Sequence, residues 1–151
     1  MNITVGPAEV DFVMASGLIA ELDADLVARY PGEPVNGIEP AQFREAAGYF
    51  VLAKAGEQLV GCGAFKPYND STIELKRMFV RSMFRGHGTG RAIVRALEAE
   101  GKRRGYVESI LETARRMPEA IALYRGCGYE AFPRYGQYVD SERSVCMRRT
   151  L

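Results

Sequence analysis

The chain has 151 residues, of which 47% are hydrophobic and 26% are charged, and its formal net charge is +1. This composition predicts a single folded domain over residues 1–151 and excludes an intrinsically disordered chain. No apolar run approaches the roughly 20 residues of a membrane span, and the N-terminus lacks the basic and apolar regions of a signal peptide. A cytoplasmic protein without a membrane partner is therefore expected.

The cysteine and histidine content limits the chemistry that the chain can perform. Cys62, Cys127 and Cys146 are widely spaced and form no CxxC motif, a pattern that favours buried apolar side chains in a reducing compartment. His87 is the sole histidine, which excludes a metal site built from several histidines. No metal is expected.

The charge is distributed unevenly along the chain. Residues 1–65 contain three Lys/Arg and nine Asp/Glu, a net charge of −6, whereas residues 66–151 contain seventeen and ten, a net charge of +7. Two solvated surfaces would explain this asymmetry. An anionic ligand on the C-terminal half and a cationic ligand on the N-terminal half would explain it equally well. The basic residues lack interleaved aromatic residues, so no nucleic-acid partner is expected.

The first third of the chain predicts one strand followed by helices. The segment MNITV indicates a strand, and apolar residues at helical spacing predict a long helix over Ala8–Pro31 that ends at Pro31 and Gly32. The apolar positions of this helix are Phe12, Leu18, Leu22, Leu26 and Val27. A turn-rich loop, GEPVNGIEP, and a short second helix, AQFREAA, follow.

The remaining elements alternate between strand and helix patterns. Segments 48–56, 58–68 and 71–80 read as strands whose short connections predict an antiparallel meander. A helix over 90–105, with Ile93, Ala96 and Leu97 on its inner face, and a strand over 106–113 complete a βαβ unit from Ile73 to Thr113, which implies a parallel pair. A helix over 118–128 and strands over 129–139 and 143–151 follow.

The turn FRGHGTG, between a strand and the start of a helix, indicates a phosphate site, because free amides and the helix dipole attract anions there. A P-loop is excluded because no Lys-Ser or Lys-Thr follows the glycines, and a dinucleotide fingerprint fails because its third glycine falls on Arg91. A third pattern, [Q/R]-x-x-G-x-[G/A], fits Arg85, Gly88 and Gly90.

Four linked segments resemble the GNAT superfamily of acyl-CoA-dependent N-acyltransferases. They are the strand ELKRMFV, the turn RGHGTG, a helix ending in Gly-Tyr, and ALYRGCGY. The order of elements is compatible over essentially the whole chain. The resemblance implies a mixed α/β fold with a mostly antiparallel sheet of six or seven strands, about four flanking helices and a splayed parallel strand pair.

The resemblance also implies acetyl-CoA as co-substrate. The backbone that matches the family's pyrophosphate turn comprises Arg85, Gly86, His87, Gly88, Thr89 and Gly90. The side chain of Arg85 is expected to approach the phosphates, with Arg91 and Arg95 either joining it or facing solvent. Met78, Phe79 and Val80 match the strand that borders the pantetheine arm, and an amide there would polarise the thioester carbonyl.

Acyl transfer to an amine requires a proton acceptor for the amine and a proton donor for the leaving thiolate. Tyr124 matches the family tyrosine that points at the sulfur and is the predicted acid. Glu74, near the start of the strand before the turn, is the predicted base. Glu112 on the parallel strand is its rival, and water is a third possibility.

Two residues depart from the family pattern, and the acceptor is only broadly defined. Met117 occupies the position of a common asparagine, and Tyr129 replaces a common phenylalanine. The helices of residues 8–47 should wall the acceptor side, where acidic residues would attract a cationic or amino-acid-like amine. These acidic residues are Asp23, Asp25, Glu33 and Glu39, and contact with the acceptor is expected near the loop from Tyr30 to Glu39.

Two further expectations concern turnover and assembly. A non-catalytic domain that binds acyl-CoA or a partner is the alternative to an enzyme. The loss of the asparagine favours this alternative, whereas the retained Tyr124 favours an enzyme. A homodimer is expected if the final strands, ending SVCMRRTL, form an exposed sheet edge.

Overall fold

The computed structural model describes residues 2–8, 12–29, 31 and 47–151. All of the predicted second helix over 41–47 except Ala47, and most of the loop from Tyr30 to Glu39, lie outside these residues. The described elements, in chain order, are β1 Ile3–Pro7, α1 Phe12–Arg29, β2 Tyr49–Ala55, β3 Gln58–Pro67, β4 Thr72–Val80, α2 Thr89–Arg103, β5 Glu108–Ala114, α3 Pro118–Gly126, β6 Glu130–Phe132 and β7 Ser144–Thr150. Short 3-10 turns lie at Ser82–Phe84 and Gly136–Tyr138.

The strands form one seven-stranded sheet in the order β1-β2-β3-β4-β5-β7-β6. Strands β4 and β5 are parallel, and every other neighbouring pair is antiparallel. The parallel pair follows from α2, which connects the two strands as a crossover. The predicted meander, βαβ unit and mostly antiparallel mixed sheet are therefore confirmed.

The sheet carries a helix and a hydrophobic cluster on each face. Alternate residues of a strand point to opposite faces, so Val51 packs in the cluster that contains Ile93 and Leu97 of α2, whereas Phe50 packs with Leu18 and Leu22 of α1. The predicted inner face of α2 is therefore confirmed for Ile93 and Leu97, whereas Ala96 is only half-buried. In α1, however, Val27 is 51% exposed, because it lies outside the stripe formed by Leu18 and Leu22.

A bulge in β4 separates the ends of the parallel strands. The register between β3 and β4 shifts between Cys62 and Ala64, and Arg77 adopts a φ of 58°. Pairing between β4 and β5 begins at Thr72 and stops at Leu75, opposite Leu111. Because a bulge bends its strand away from the ladder, the residues after Leu75 diverge from the end of β5 and leave a gap.

The C-terminal strands differ from the sequence prediction in two respects. Only Glu130–Phe132 of the predicted strand over 129–139 is a strand, and Gly136–Tyr138 forms a 3-10 turn. The last strand, β7, lies between β5 and β6, so of the two final strands only the short β6 lies at an edge of the sheet. None of the helices among the described residues is long and apolar enough to cross a membrane.

Candidate functional site

The gap between β4 and β5 opens into two cavities with a common wall. The larger, of about 450 Å³, extends from the end of β4 along the glycine turn to α3. The smaller, of about 120 Å³, lies between the ends of β4 and β5. Five residues line both cavities: Leu22, Met78, Met117, Ala120 and Tyr124. A long ligand in the larger cavity would therefore end where the smaller one begins.

The glycine turn presents unused backbone amides to the larger cavity. Gly86 and Gly88 have φ values of 80° and 82°, a conformation that glycine adopts without strain. Ala92 makes the first backbone bond of α2, to the carbonyl of Gly88 at 3.0 Å, so the amides of residues 89–91 precede the helical ladder. Within the described chain, no backbone carbonyl accepts from the amides of residues 86–88, and the turn therefore offers donors to an anion.

Two features of the turn refine the sequence prediction. The amide of Arg85 already donates to the carbonyl of Ser82 at 3.3 Å, so it contributes less to the anion site than the amides after it. Thr89 is 1% exposed, and its Oγ1 has no hydrogen-bond partner among the described residues. Thr89 also lines the larger cavity, so this hydroxyl is available to a ligand.

The arginine side chains at the turn already form hydrogen bonds within the protein. Arg85 donates from Nε to the carbonyl of Val80 at 2.8 Å, and Arg91 donates to the carbonyl of Gly126 at the end of α3. Both arginines line the larger cavity, and so do the carboxylates Asp25 and Glu119. His87 is exposed, and its side chain is not among the described residues that line either cavity.

The predicted strand residues and the predicted acid lie together in the same cleft. Met78, Phe79 and Val80 border the larger cavity, at the part of β4 that no longer pairs with β5. Tyr124 lies on α3 across this cavity and is 5% exposed. Its ring packs against Tyr129 at 5.9 Å between centroids, and no hydrogen bond to its hydroxyl occurs among the described residues.

Burial raises the pKa of Tyr124 above its ordinary value, with smaller contributions from Cys127 and Glu112. The phenol therefore stays protonated at neutral pH, as a proton donor must.

The two candidate bases occupy different environments. Glu112 lines the smaller cavity together with Tyr124, and burial raises the pKa of its carboxyl although a hydrogen bond from Ser144 Oγ, at 2.6 Å, opposes the shift. Glu74 is 3% exposed, accepts from the hydroxyl of Tyr135 at 2.6 Å and lies 3.6 Å from Lys66 Nζ. It lies in the paired part of β4, opposite Ile110, and lines neither cavity among the described residues.

Three basic residues line the smaller cavity, and sequence reasoning missed them. Lys76, Arg77 and Arg143 lie in its wall, with Glu112 as the acidic member. Arg77 forms an ion pair with Asp23 of α1 at 2.7 Å. The sequence does contain one signal of these basic residues, the adjacent pair Lys76 and Arg77 inside a predicted strand. Strict alternation would send one of the two side chains to each face of the sheet.

The acidic residues expected to attract the acceptor are largely engaged within the protein. Asp23 pairs with Arg77, and Asp25 lies 3.5 Å from Arg29. Arg29 also pairs with Glu119 at 2.5 Å and thereby joins the end of α1 to the first turn of α3. Glu33 and Glu39 lie outside the described residues. Among the residues that the structure describes, no group of three or more His, Cys, Asp or Glu is suited to a metal ion.

Comparisons with known proteins agree with this arrangement. The sequence profile described as "Acetyltransferase (GNAT) family" matches residues 17–129. A protein of Azospirillum brasilense named IAA acetyltransferase is 32% identical over 135 residues, which is 89% of this chain and 88% of that protein. The chain spans less than half the length of several vertebrate N-acetyltransferases that it also matches.

Solved structures show the same fold. A Klebsiella pneumoniae protein described as an acyl-CoA N-acyltransferase superposes with a TM-score of 0.82 and 26% identity, covering 99% of this chain and 97% of that one. A GNAT family acetyltransferase from Elizabethkingia anophelis with acetyl-CoA bound superposes with a TM-score of 0.76 and 19% identity, covering 99% of each chain.

Proposed function

Because the chain belongs to the GNAT family of acetyltransferases, we propose that it transfers an acetyl group from acetyl-CoA to a primary amine, directly, in a ternary complex. The observation that carries the proposal is the position of Tyr124. It lies in the wall shared by the larger cavity, which extends to the glycine turn, and by the smaller cavity. The donor thioester and the acceptor amine would meet beside its hydroxyl.

The larger cavity fits the co-substrate in shape and in donor chemistry. The amides of Gly86 and Gly88 and the unpartnered hydroxyl of Thr89 would hold the pyrophosphate. A Cβ atom built on either glycine meets nothing within 4 Å, so the space in front of the turn is open. When bound, acetyl-CoA supplies the activated acetyl group, and the backbone of residues 78–80, on the side that no longer pairs with β5, would hold its pantetheine arm and polarise its carbonyl.

The side chains at the junction of the cavities supply the proton transfers. Tyr124, protonated at neutral pH, would donate to the departing sulfur. We propose Glu112 as the base because it lines the same cavity as Tyr124, and because burial raises its pKa and so makes it a stronger base than an ordinary carboxylate. Glu74 was predicted for this role and remains the rival, with Tyr135 held at its carboxylate.

The alternative is an acyl-CoA-binding domain without turnover. Met117 at the family's asparagine position favours it, since a thioether replaces a hydrogen-bonding amide in the wall of both cavities. The protonated Tyr124 at the junction of the cavities favours the enzyme. A cytoplasmic location and a homodimer also stay predictions.

Two measurements, made one after the other, test the proposed function. Saturating acetyl-CoA should raise the melting temperature of the protein, and an amine panel should then release free coenzyme A thiol. Tyr124→Phe should lower kcat by about 10²–10⁴-fold, as expected when a general acid is lost, with acetyl-CoA binding unchanged. Binding of acetyl-CoA without thiol release from any amine would favour the non-catalytic domain, and absence of binding would refute both functions.

A further inference from the structure

The direction of the Tyr124 hydroxyl depends on how its ring packs, because no hydrogen bond within the described chain holds that hydroxyl. The ring is buried and packs against the ring of Tyr129, with the centroids 5.9 Å apart and the planes inclined at 61°. Aromatic pairs prefer such an edge-to-face arrangement. The orientation of Tyr124 is therefore only as well defined as that of Tyr129.

Tyr129 is held at both of its ends. Its hydroxyl donates to Glu98 Oε2 on α2 at 3.0 Å and is hydrogen-bonded to Ser109 Oγ on β5 at 2.8 Å. Its backbone amide donates to the carbonyl of Tyr124 at 2.9 Å. The residue is 2% exposed, so these contacts and the surrounding core fix its ring relative to both α2 and the sheet.

Glu98, which accepts from this phenol, is itself held firmly. It is 5% exposed, and its two carboxylate oxygens pair with Arg95 at 2.7 Å and with Arg149 of β7 at 2.9 Å. A hydrogen bond to an ionised acceptor is stronger than one between neutral groups. A continuous series of contacts thus runs from β7 through Glu98 and Tyr129 to Tyr124 in the cleft.

The departure from the common phenylalanine at position 129 acquires a role in this arrangement. Phenylalanine would keep the ring that packs against Tyr124, but it would lose the hydroxyl that ties this ring to Glu98 and Ser109. Tyr129 lines neither cavity among the described residues. Any effect that it has on acyl transfer must therefore pass through its neighbour in the wall.

From this series of contacts we infer that Tyr129 is a positioning residue, whose anchored ring directs the Tyr124 hydroxyl toward the junction of the two cavities. The inference rests on the proposed function, in which that hydroxyl donates a proton to the departing sulfur. It adds a residue outside the cavity walls to those on which the rate depends.

The variant Tyr129→Phe tests the inference, because it removes the anchor and keeps the ring. Thiol release is measured with acetyl-CoA and the most active amine of a panel of tyramine, spermidine, lysine and glycylglycine. The kcat should fall about tenfold, since a small misplacement of a reacting group is costly. Acetyl-CoA affinity in calorimetric titration should stay within about twofold of the wild type, because the binding wall is unchanged.

A double-mutant cycle separates positioning from a general loss of structure. In a Tyr124→Phe background, Tyr129→Phe should change kcat by less than about twofold, because no acidic hydroxyl remains to be directed. Equal losses of kcat in the two backgrounds would overturn the inference and leave Tyr129 a purely structural residue.

Two further variants control for stability. Tyr129→Phe deprives the buried hydroxyl of Ser109 of its phenol partner, which lowers stability, whereas adding Ser109→Ala removes both partners and should recover part of the melting temperature. The kcat of this double variant should stay low. Ile73→Val removes one methylene group from the same hydrophobic cluster, outside both cavity walls. It should lower the melting temperature and leave kcat within about twofold.

The outcomes distinguish this inference from the proposed function. A kcat of Tyr129→Phe equal to that of the wild type, or a kcat that recovers with the melting temperature when Ser109→Ala is added, would overturn the inference while the acetyltransferase activity stands. If Tyr129→Phe does not fold, the double variant with Ser109→Ala provides the same comparison. Wild-type protein that binds acetyl-CoA and releases no thiol with any amine would instead count against the proposed function, and the inference would fall with it.

Discussion

The thiol of Cys62 donates to the backbone carbonyl of Arg77 at 3.3 Å, across the bulge that opens the sheet. Arg77 holds a positive φ of 58°, which is unfavourable for a side chain of its size. The hydrogen bond from Cys62 and the ion pair from Arg77 to Asp23 both act on this residue. They stabilise the bend that separates β4 from β5 and creates the cleft.

All three cysteines should be unreactive in the folded protein. Cys62, Cys127 and Cys146 are at most 2% exposed, and burial raises the pKa of Cys62 to about 12. At pH 8 only about one Cys62 in ten thousand would be thiolate. A disulfide reagent should detect no fast-reacting thiol in native protein and three after unfolding. Reaction of a native cysteine within minutes would contradict this burial, and it would also add background to thiol-release assays.

The open space in front of the glycine turn should be required for binding acetyl-CoA. Gly88 and Gly56 both have positive φ, of 82° and 61°, and a Cβ atom on either meets nothing within 4 Å. Alanine at either position should therefore destabilise the fold by about 1 kcal/mol. Only Gly88 lines the larger cavity, so Gly88→Ala should also weaken acetyl-CoA binding at least tenfold.

Gly56→Ala, in the turn between β2 and β3, is the matched control for strain. Calorimetric titration gives the affinity of each variant and thermal denaturation its stability. Equal affinity in the two variants, at equal loss of stability, would place the pyrophosphate elsewhere.

The sequence predicted those parts of the molecule that local pattern determines. Alternation identified the meander, the helical connection required a parallel pair, and Gly86 and Gly88 indicated a turn with free amides before a helix. The splayed parallel pair was expected only from the family resemblance, and local pattern could not place the bulge at Arg77, because it depends on the register with Cys62 and Ala64 of another strand.

The interior charges depend on the same long-range packing. Asp23 was expected to attract a ligand, but it pairs with Arg77, 54 positions away. Glu74 and Glu112 lie on the two strands of the parallel pair, and the sequence alone does not distinguish them as candidate bases. What distinguishes them is that β4 stops pairing with β5 after Leu75, and Glu74 lies before that point. Sequence reasoning therefore predicted residues that line the cleft, but it did not predict the basic residues that line the smaller cavity.

Stability should fall in acid as Glu100 becomes protonated. Hydrogen bonds from Arg103 lower the pKa of Glu100 from 4.5 to about 2, with Arg104 adding to the shift and burial opposing it. A carboxyl whose folded pKa is depressed stabilises the protein above its unfolded value, and this stability is lost as the pH falls from about 4.5 to about 2. Because these are surface pairs on α2, the contribution at pH 7 is about 0.5–1 kcal/mol.

The variant Glu100→Gln isolates this contribution. Urea denaturation should show a lower free energy of unfolding than the wild type at pH 7 and a smaller difference at pH 3. Glu57→Gln, at an exposed turn, should behave as the wild type at both values. A difference for Glu100→Gln that is the same at pH 3 and pH 7 would show that the lost contact is not ionic.

The two candidate bases should differ sharply in their effect on the rate. A base acts only when deprotonated, so kcat/KM per unit of unprotonated amine should fall as the pH drops through the pKa of Glu112, which burial holds above its ordinary value. Glu112→Gln should lower kcat/KM by about 10²–10⁴-fold and abolish this limb of the pH profile. Acetyl-CoA affinity should not change, because Glu112 lines only the smaller cavity among the described residues.

Glu74→Gln provides the opposing arm of the experiment. Its amide oxygen can still accept the hydrogen bond from Tyr135, so the fold around it should persist. If Glu112 is the base, Glu74→Gln should retain the acid limb and most of the rate. A profile that loses its acid limb in Glu74→Gln and keeps it in Glu112→Gln would return the role to Glu74, and a limb that survives in both variants would indicate that water carries the proton.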